Sequence, residues 1–216
     1  MKGSLITFEG TEGSGKSTQL SLLEERLLGQ GWSVRAVREP GGTPIGEEIR
    51  HTLKHSAANA AMTAEAELLL MNASRAQLVR EVIRPALAKG QMVLCDRFYD
   101  STTAYQGYGR GLDLKVIDRV IEFAVGETRP DLTLLMLVPP DVSAARLLAR
   151  QSTMPFVRDR LEEADASFFE RVARGYRVMA AAEPQRVKLI DAAGRLEEVQ
   201  EAVWRAVEPM LRGKGE

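Results

Sequence analysis

Short apolar runs alternate with longer amphipathic stretches from one end of this chain to the other. Five apolar runs, at 5–9, 33–38, 91–96, 132–138 and 187–191, predict strands. Met92-Val93-Leu94-Cys95 and the run from Leu132 to Val138 are almost wholly apolar. Strands covered on both faces of a parallel sheet have that character. The intervening segments predict helices over 16–29, 43–53, 64–89, 114–125, 141–150, 163–182 and 196–212. Asp141 follows Pro139-Pro140 and reads as a helix start. Pro85 should bend or interrupt the long third helix, because proline lacks the amide hydrogen and crowds the preceding turn. No repeat, low-complexity tract or linker breaks the alternation. The expectation is one three-layer α/β domain over residues 1–216, with five parallel strands between layers of helices. Ligands in such sheets sit beyond the carboxyl ends of the strands. The polar motifs of this chain fall just after its predicted strands.

Composition narrows the partners. The 44% hydrophobic content is enough for a full core. The 29 basic and 30 acidic side chains leave a net charge of −1. That balance argues against broad electrostatic binding to nucleic acid or to an anionic membrane. No apolar run reaches the length of a membrane span. The single cysteine, Cys95, permits no intramolecular disulfide. A reducing, cytoplasmic location is the expectation. A strand beginning by Leu5 leaves no room for a signal peptide, which agrees with it.

The first predicted strand runs into Gly10-Thr11-Glu12-Gly13-Ser14-Gly15-Lys16-Ser17, followed by Thr18 and a helix. This fits G-x-x-x-x-G-K-[ST], the phosphate-binding loop. Its glycines let several backbone N–H groups point at a polyphosphate, and the helix N-terminus adds its positive dipole end. Lys16 would bridge β- and γ-phosphate oxygens, and Ser17 would offer a hydroxyl to Mg²⁺. Glu9, just before the loop, would face the phosphates and hold Mg²⁺ through water. Asp96 ends the third strand and is the second Mg²⁺-binding element expected of such enzymes. Arg97 beside it can ground a second phosphoryl group. The next ten residues, 98–107, include Ser101, Thr102, Tyr105 and Gln106 and form a polar wall suited to a small ligand.

Other segments admit two readings. Arg38-Glu39-Pro40-Gly41-Gly42-Thr43 can be a phosphate clamp, with Arg38 as its planar fork, or an ordinary turn in which Thr43 caps the next helix. Met71 and Arg75 share a helix face with Leu68. They suit a base ring with a carbonyl edge, although spacing alone favours a core methionine beside a surface arginine. His51 and His55 have no partner at metal-binding spacing and read as surface residues. Arg146, Arg150, Arg158 and Arg160 flank an uncharged, proline-containing stretch, the composition of a lid over 150–160. An arginine delivered to a transferring phosphoryl group is worth roughly 10³–10⁵ in rate.

Taken together, these residues resemble the thymidylate kinases. The specific parts are the phosphate-binding loop, Arg38-Glu39-Pro40-Gly41-Gly42-Thr43, Asp96-Arg97-x-x-x-Ser101-x-x-Ala104-Tyr105-Gln106, and Asp159-Arg160-Leu161-Glu162. The resemblance runs from Leu5 to about Val203. It implies a P-loop NTPase fold, a homodimer, and transfer of the γ-phosphoryl group of ATP to dTMP with Mg²⁺. It implies that Arg97 and Arg38 bind the acceptor phosphate and that Tyr105 lies against the sugar. Arg75 should face the base edge, with Thr102 and Gln106 lining the base pocket. Glu12 in the loop, together with lid arginines, resembles the bacterial type, in which the catalytic arginine comes from the lid. Arg150 matches best, with Arg158 next. Met71 stands where many bacterial members place a phenylalanine. The absence of Asn-Lys-x-Asp argues against a guanine-nucleotide switch, and Asp96-Arg97 in place of an Asp-Glu pair argues against an ATPase motor.

Overall fold

The computed structural model describes residues 3–153, 160–161 and 165–212. Its strands are β1 (Ser4–Glu9), β2 (Val34–Arg38), β3 (Met92–Asp96), β4 (Leu132–Leu137) and β5 (Val187–Asp191). All pairings are parallel, in the order β2-β3-β1-β4-β5. The register levels the ends of the strands that carry the motifs. Phe8 and Arg38 both lie opposite Asp96, and Glu9 lies one residue further, opposite Leu135. The helices are α1 (Lys16–Gly29), α2 (Pro44–Lys54), α3 (Ala64–Leu78), α4 (Arg84–Ala88), α5 (Tyr99–Thr102), α6 (Leu114–Val125), α7 (Pro140–Thr153), α8 (Ala166–Ala182) and α9 (Leu196–Arg212).

Successive strand residues face opposite sides of the sheet, and the core divides accordingly. Ile6, Phe8, Leu94, Leu134 and Met136 pack against Leu20, Leu23 and Leu27 of α1 and against Val199, Val203 and Val207 of α9. On the other face, Leu5, Val93 and Cys95 meet Leu78 of α3 and Ile117 and Ile121 of α6. A third cluster joins Leu135 and Val187 to Tyr105 and to Phe168, Val172 and Tyr176 of α8. Each fully buried large apolar side chain contributes about 1.5–3 kcal/mol relative to exposure. Cys95 belongs to this core, and burial pushes its thiol pKa up.

The break expected at Pro85 is present, and one stretch for which no element was predicted is helical. The helix expected over 64–89 is interrupted: α3 ends at Leu78, a wider π-type turn spans Val79–Ile83, and α4 follows with Pro85 at its start. The widened turn lies where the proline ring would otherwise press on the carbonyl four residues back. The polar wall after Arg97 is helical, formed by α5 and a π-type turn over Thr103–Gly109. At the other boundaries, α7 extends to Thr153 and α8 begins at Ala166, where Asp165 accepts a cap hydrogen bond from the Phe168 amide. Among the described residues no helix is long and apolar enough to cross a membrane.

Candidate active site

The loop after β1 turns sharply because its glycines adopt conformations that other residues resist. Gly10 has φ 134°, and a Cβ there would lie 2.4 Å from the Met136 carbonyl oxygen. Gly13 has φ 70°, and a Cβ would lie 2.7 Å from the Ser143 carbonyl oxygen. The loop delivers Lys16 at the first turn of α1, and its ammonium folds back to donate to the carbonyls of Thr11 (2.8 Å) and Gly10 (3.2 Å). Lys16 is buried, and that burial, reinforced by the Arg97 charge, lowers its pKa from 10.5 to about 8. A bound polyphosphate would reverse that effect. Ser17 Oγ donates to Asp96 Oδ2 at 2.5 Å. The two proposed oxygen ligands therefore meet at the edge of the loop. A hydroxyl beside a carboxylate suits Mg²⁺, which binds through one or two carboxylates and substrate oxygens and keeps several waters.

Arg97 stands between this loop and a cleft. It has φ 69°, the left-handed conformation, directly after β3. Its amide donates to the Phe8 carbonyl at 2.9 Å. Its guanidinium donates to Glu12 Oε1 (2.7 Å), the Gly10 carbonyl (3.0 Å), Ser101 Oγ (3.0 Å) and Tyr105 Oη (3.2 Å). Most of its donors are thereby fixed before any ligand arrives. The cleft it borders is also lined by Met71, Thr102, Gln106 and Leu161.

Arg75 forms the far wall of that cleft. It is 2% exposed, and its Nε donates to Glu39 Oε2 at 2.7 Å. Its Nη1 donates to Asn72 Oδ1 and Thr102 Oγ1, both at 2.9 Å, and its Nη2 to the Phe98 carbonyl at 3.2 Å. A guanidinium carries five N–H donors, so among the described residues one on Nη2 has no acceptor. Among the described residues Glu39 Oε1 is buried with no partner. Burial outweighs the attraction of Arg75 and raises the Glu39 pKa from 4.5 to about 7.

A second, more apolar cleft opens on the opposite side of the phosphate loop, between α7, α8 and the ends of β4 and β5. Ser143 Oγ fastens α7 to the loop by donating to the Glu12 carbonyl at 2.6 Å. Arg146 donates to the Gly13 carbonyl (3.4 Å) and the Ala192 carbonyl (3.0 Å), joining the loop to the segment after β5.

A phosphate loop alone is common to many NTPases. The thymidylate kinase profile, however, matches residues 8–203, which contain both clefts and the loop between them. This chain belongs to the thymidylate kinase family. Relatives agree over nearly its whole length. The thymidylate kinase of Pseudomonas fluorescens is 49% identical over 216 residues, covering 100% of both chains. That of a Synechococcus strain is 49% identical over 206 residues, covering 95% of each. The crystal structure of thymidylate kinase from Ehrlichia chaffeensis superposes with a TM-score of 0.76 at 32% identity, over 96% of this chain and 99% of that one. The five-stranded parallel sheet with its flanking helices is thus the P-loop NTPase fold of the family.

Within this family frame, Pro40, Met71, Arg75, Arg97, Ser101, Thr102, Tyr105 and Gln106 come together around one cleft, as the sequence led us to expect. Glu9 and Arg38 do not line it. Glu9 is fully buried and accepts from the Phe98 amide (2.7 Å), Ser101 Oγ (2.5 Å) and Tyr176 Oη (2.9 Å). Burial, with Asp100 nearby, raises its pKa. Its oxygens are hydrogen-bonded to α5 and α8 behind the loop. Arg38 is half-exposed at the rim, paired with Glu47 Oε2 at 3.0 Å, while Thr43 caps α2 through the Gly46 amide. Arg75 is not the surface arginine that spacing favoured. The side chain of Arg150, on α7, and the whole of Arg158 lie outside the described residues. The sequence reading missed Tyr176, which donates to Glu9; Glu67, which accepts from Gln106 at 2.8 Å; and Leu161, which lines the cleft. Only Leu161 carried a signal, its place in Asp159-Arg160-Leu161-Glu162.

Proposed function

We propose that this chain transfers the γ-phosphoryl group of ATP to dTMP, giving dTDP and ADP, by direct in-line attack of an acceptor phosphate oxygen. The observation that carries the reading is Arg97. It is held by Glu12 and the Gly10 carbonyl where the phosphate loop meets the acceptor cleft. The protein's task in such a transfer is positioning and charge stabilisation. Lys16 and the loop amides hold the donor phosphates. Mg²⁺, when bound beside Ser17 and Asp96, would neutralise the negative charge that builds on the phosphate oxygens. Arg97 takes the acceptor phosphate, and Arg38 exchanges Glu47 for the same group. Met71 packs on the base through its polarizable sulfur. The free N–H of Arg75 meets a base carbonyl, and Tyr105 lies against the sugar. An arginine of the lid, Arg150 or Arg158, stabilises the transition state, and closure keeps water from the γ-phosphate. We also propose that the protein works as a cytoplasmic homodimer, in line with the resemblance noted above. Its one cysteine, buried, suits a reducing compartment.

The test is ADP formation by purified protein with Mg²⁺-ATP, offering dTMP, dUMP, dCMP, dGMP, UMP and thymidine in turn. The expected result is strong turnover with dTMP, well ahead of dUMP. Faster turnover of thymidine or UMP, or turnover of no acceptor, refutes the assignment of the cleft.

A further inference from the structure

Glu67 has no part in the transfer described above, yet it lies one helical turn before Met71 on the stripe of α3 that continues to Arg75. It is fully buried. Four donors reach its carboxylate. Gln106 Nε2 (2.8 Å) and Arg110 Nε (3.2 Å) donate to Oε1. Arg110 Nη2 (3.0 Å) and Arg160 Nη1 donate to Oε2. Burial alone would raise the Glu67 pKa, but these hydrogen bonds and the Arg110 charge lower it. Arg160 is itself fixed by its Nη2 donating to the Met62 carbonyl (3.0 Å) and its backbone amide to the Lys54 carbonyl (3.2 Å). The next residue, Leu161, lines the acceptor cleft.

An ionised carboxylate can only accept hydrogen bonds. Gln106 must therefore turn its NH₂ towards Glu67. Its carbonyl oxygen is the atom left over, on a side chain that lines the acceptor cleft. We propose that Glu67 is a positioning residue for base selection. By fixing the sense of the Gln106 carboxamide it makes the cleft accept from a ring N–H and reject a bare ring nitrogen. Thymine and uracil carry such an N–H at the position where cytosine presents a lone pair. This inference rests on the reading of the cleft as the acceptor site, and it deepens that reading.

The variant Glu67→Gln tests it. Oε2 faces two arginine donors, so the new amide keeps its carbonyl on that side and presents NH₂ towards Gln106. The Gln106 carboxamide then turns over and shows an N–H to the cleft. Steady-state kinetics with dTMP, dUMP and dCMP give the readout. We expect the dCMP-to-dTMP ratio of kcat/KM to rise about tenfold or more, mainly through KM. The dUMP-to-dTMP ratio should hold, since both bases share the N–H. A merely structural role would lower all three acceptors together. Gln106→Met, which leaves Glu67 and its arginines in place, covers the case in which the first variant does not fold. It should also narrow the gap between dTMP and dCMP about tenfold. Wild-type protein that uses dTMP, together with an unchanged dCMP-to-dTMP ratio in every variant that folds, overturns the proposal alone. Wild-type protein that phosphorylates none of the three overturns the acceptor reading, and this inference with it.

Discussion

Arg75→Met should be among the most destabilising single changes at the acceptor cleft. Methionine fills most of the space, so the loss comes from charge and hydrogen bonds rather than from a cavity. Four acceptors lose their donor: Glu39 Oε2, Asn72 Oδ1, Thr102 Oγ1 and the Phe98 carbonyl. At a net value of about 1 kcal/mol for each hydrogen bond, the loss is about 4 kcal/mol. That agrees with the roughly 3–5 kcal/mol expected when one partner of a buried ion pair is removed. A native domain has about 5–15 kcal/mol in total. The effect should also depend on pH. The Glu39 carboxyl sits at about 7 in the fold, above its ordinary 4.5, so the folded state holds the proton more tightly than the unfolded chain. Its contribution to stability is complete below about 4.5 and is lost as pH rises through about 7. Removing Arg75 takes away the attraction that lowers this pKa, so the folded-state value climbs further. At pH 6, below that value, Glu39 is largely protonated in both proteins and the loss is mainly of hydrogen bonds. At pH 8 wild type has ionised beside Arg75, whereas the variant must hold a proton or bury an unpaired carboxylate, so its loss is larger. Urea unfolding followed by circular dichroism at both pH values gives the two differences from wild type. A loss below about 1 kcal/mol at both, or a loss no larger at pH 8 than at pH 6, would refute the reasoning.

Two further outcomes concern the donor side. With its Lys16 pKa lowered to about 8, the free protein should take up about half a proton when a polyphosphate binds at pH 8, as the ammonium is restored. Calorimetric titration with a non-hydrolysable ATP analogue, in buffers of different ionisation enthalpy, measures that uptake, and a value near zero would show that Lys16 does not meet the phosphates. Of Arg150→Ala and Arg158→Ala, one should lower kcat about 10³-fold or more while the other stays within about tenfold of wild type. Equal small effects in single-turnover assays would remove the lid arginine from the mechanism.

The sequence showed those parts of the site whose chemistry is local. Gly10 to Ser17 is one contiguous loop, and its conformation follows from its own glycines. Asp96 and Arg97 stood out because they follow an apolar run, and the parallel register brings Asp96 to Ser17. The parts that were not legible depend on partners distant in the chain. Glu9 read as a carboxylate facing the phosphates because nothing nearby reveals that Ser101 and Tyr176, 92 and 167 residues away, donate to it. Arg75 read as a surface cation because its counter-ion, Glu39, stands 36 residues earlier in a different loop. Glu67 was invisible for the same reason: its ligands Gln106, Arg110 and Arg160 come from two later segments. The π-type turns also escaped notice, since their residues fit an ordinary helical pattern.

The strand order carries a consequence for how the chain is made. β1, which holds the phosphate loop, leaves the ribosome first but occupies the middle of the sheet. Its neighbours are β3, beginning at Met92, and β4, beginning at Leu132. At roughly 5–20 residues per second, the wait for the first of these is on the order of 4–18 s and for the second about 6–26 s. For that time Leu5, Ile6 and Phe8 have no sheet to enter and are open to whatever binds extended apolar peptide. The strand that leads into the phosphate loop thus waits for both of its sheet partners to be made.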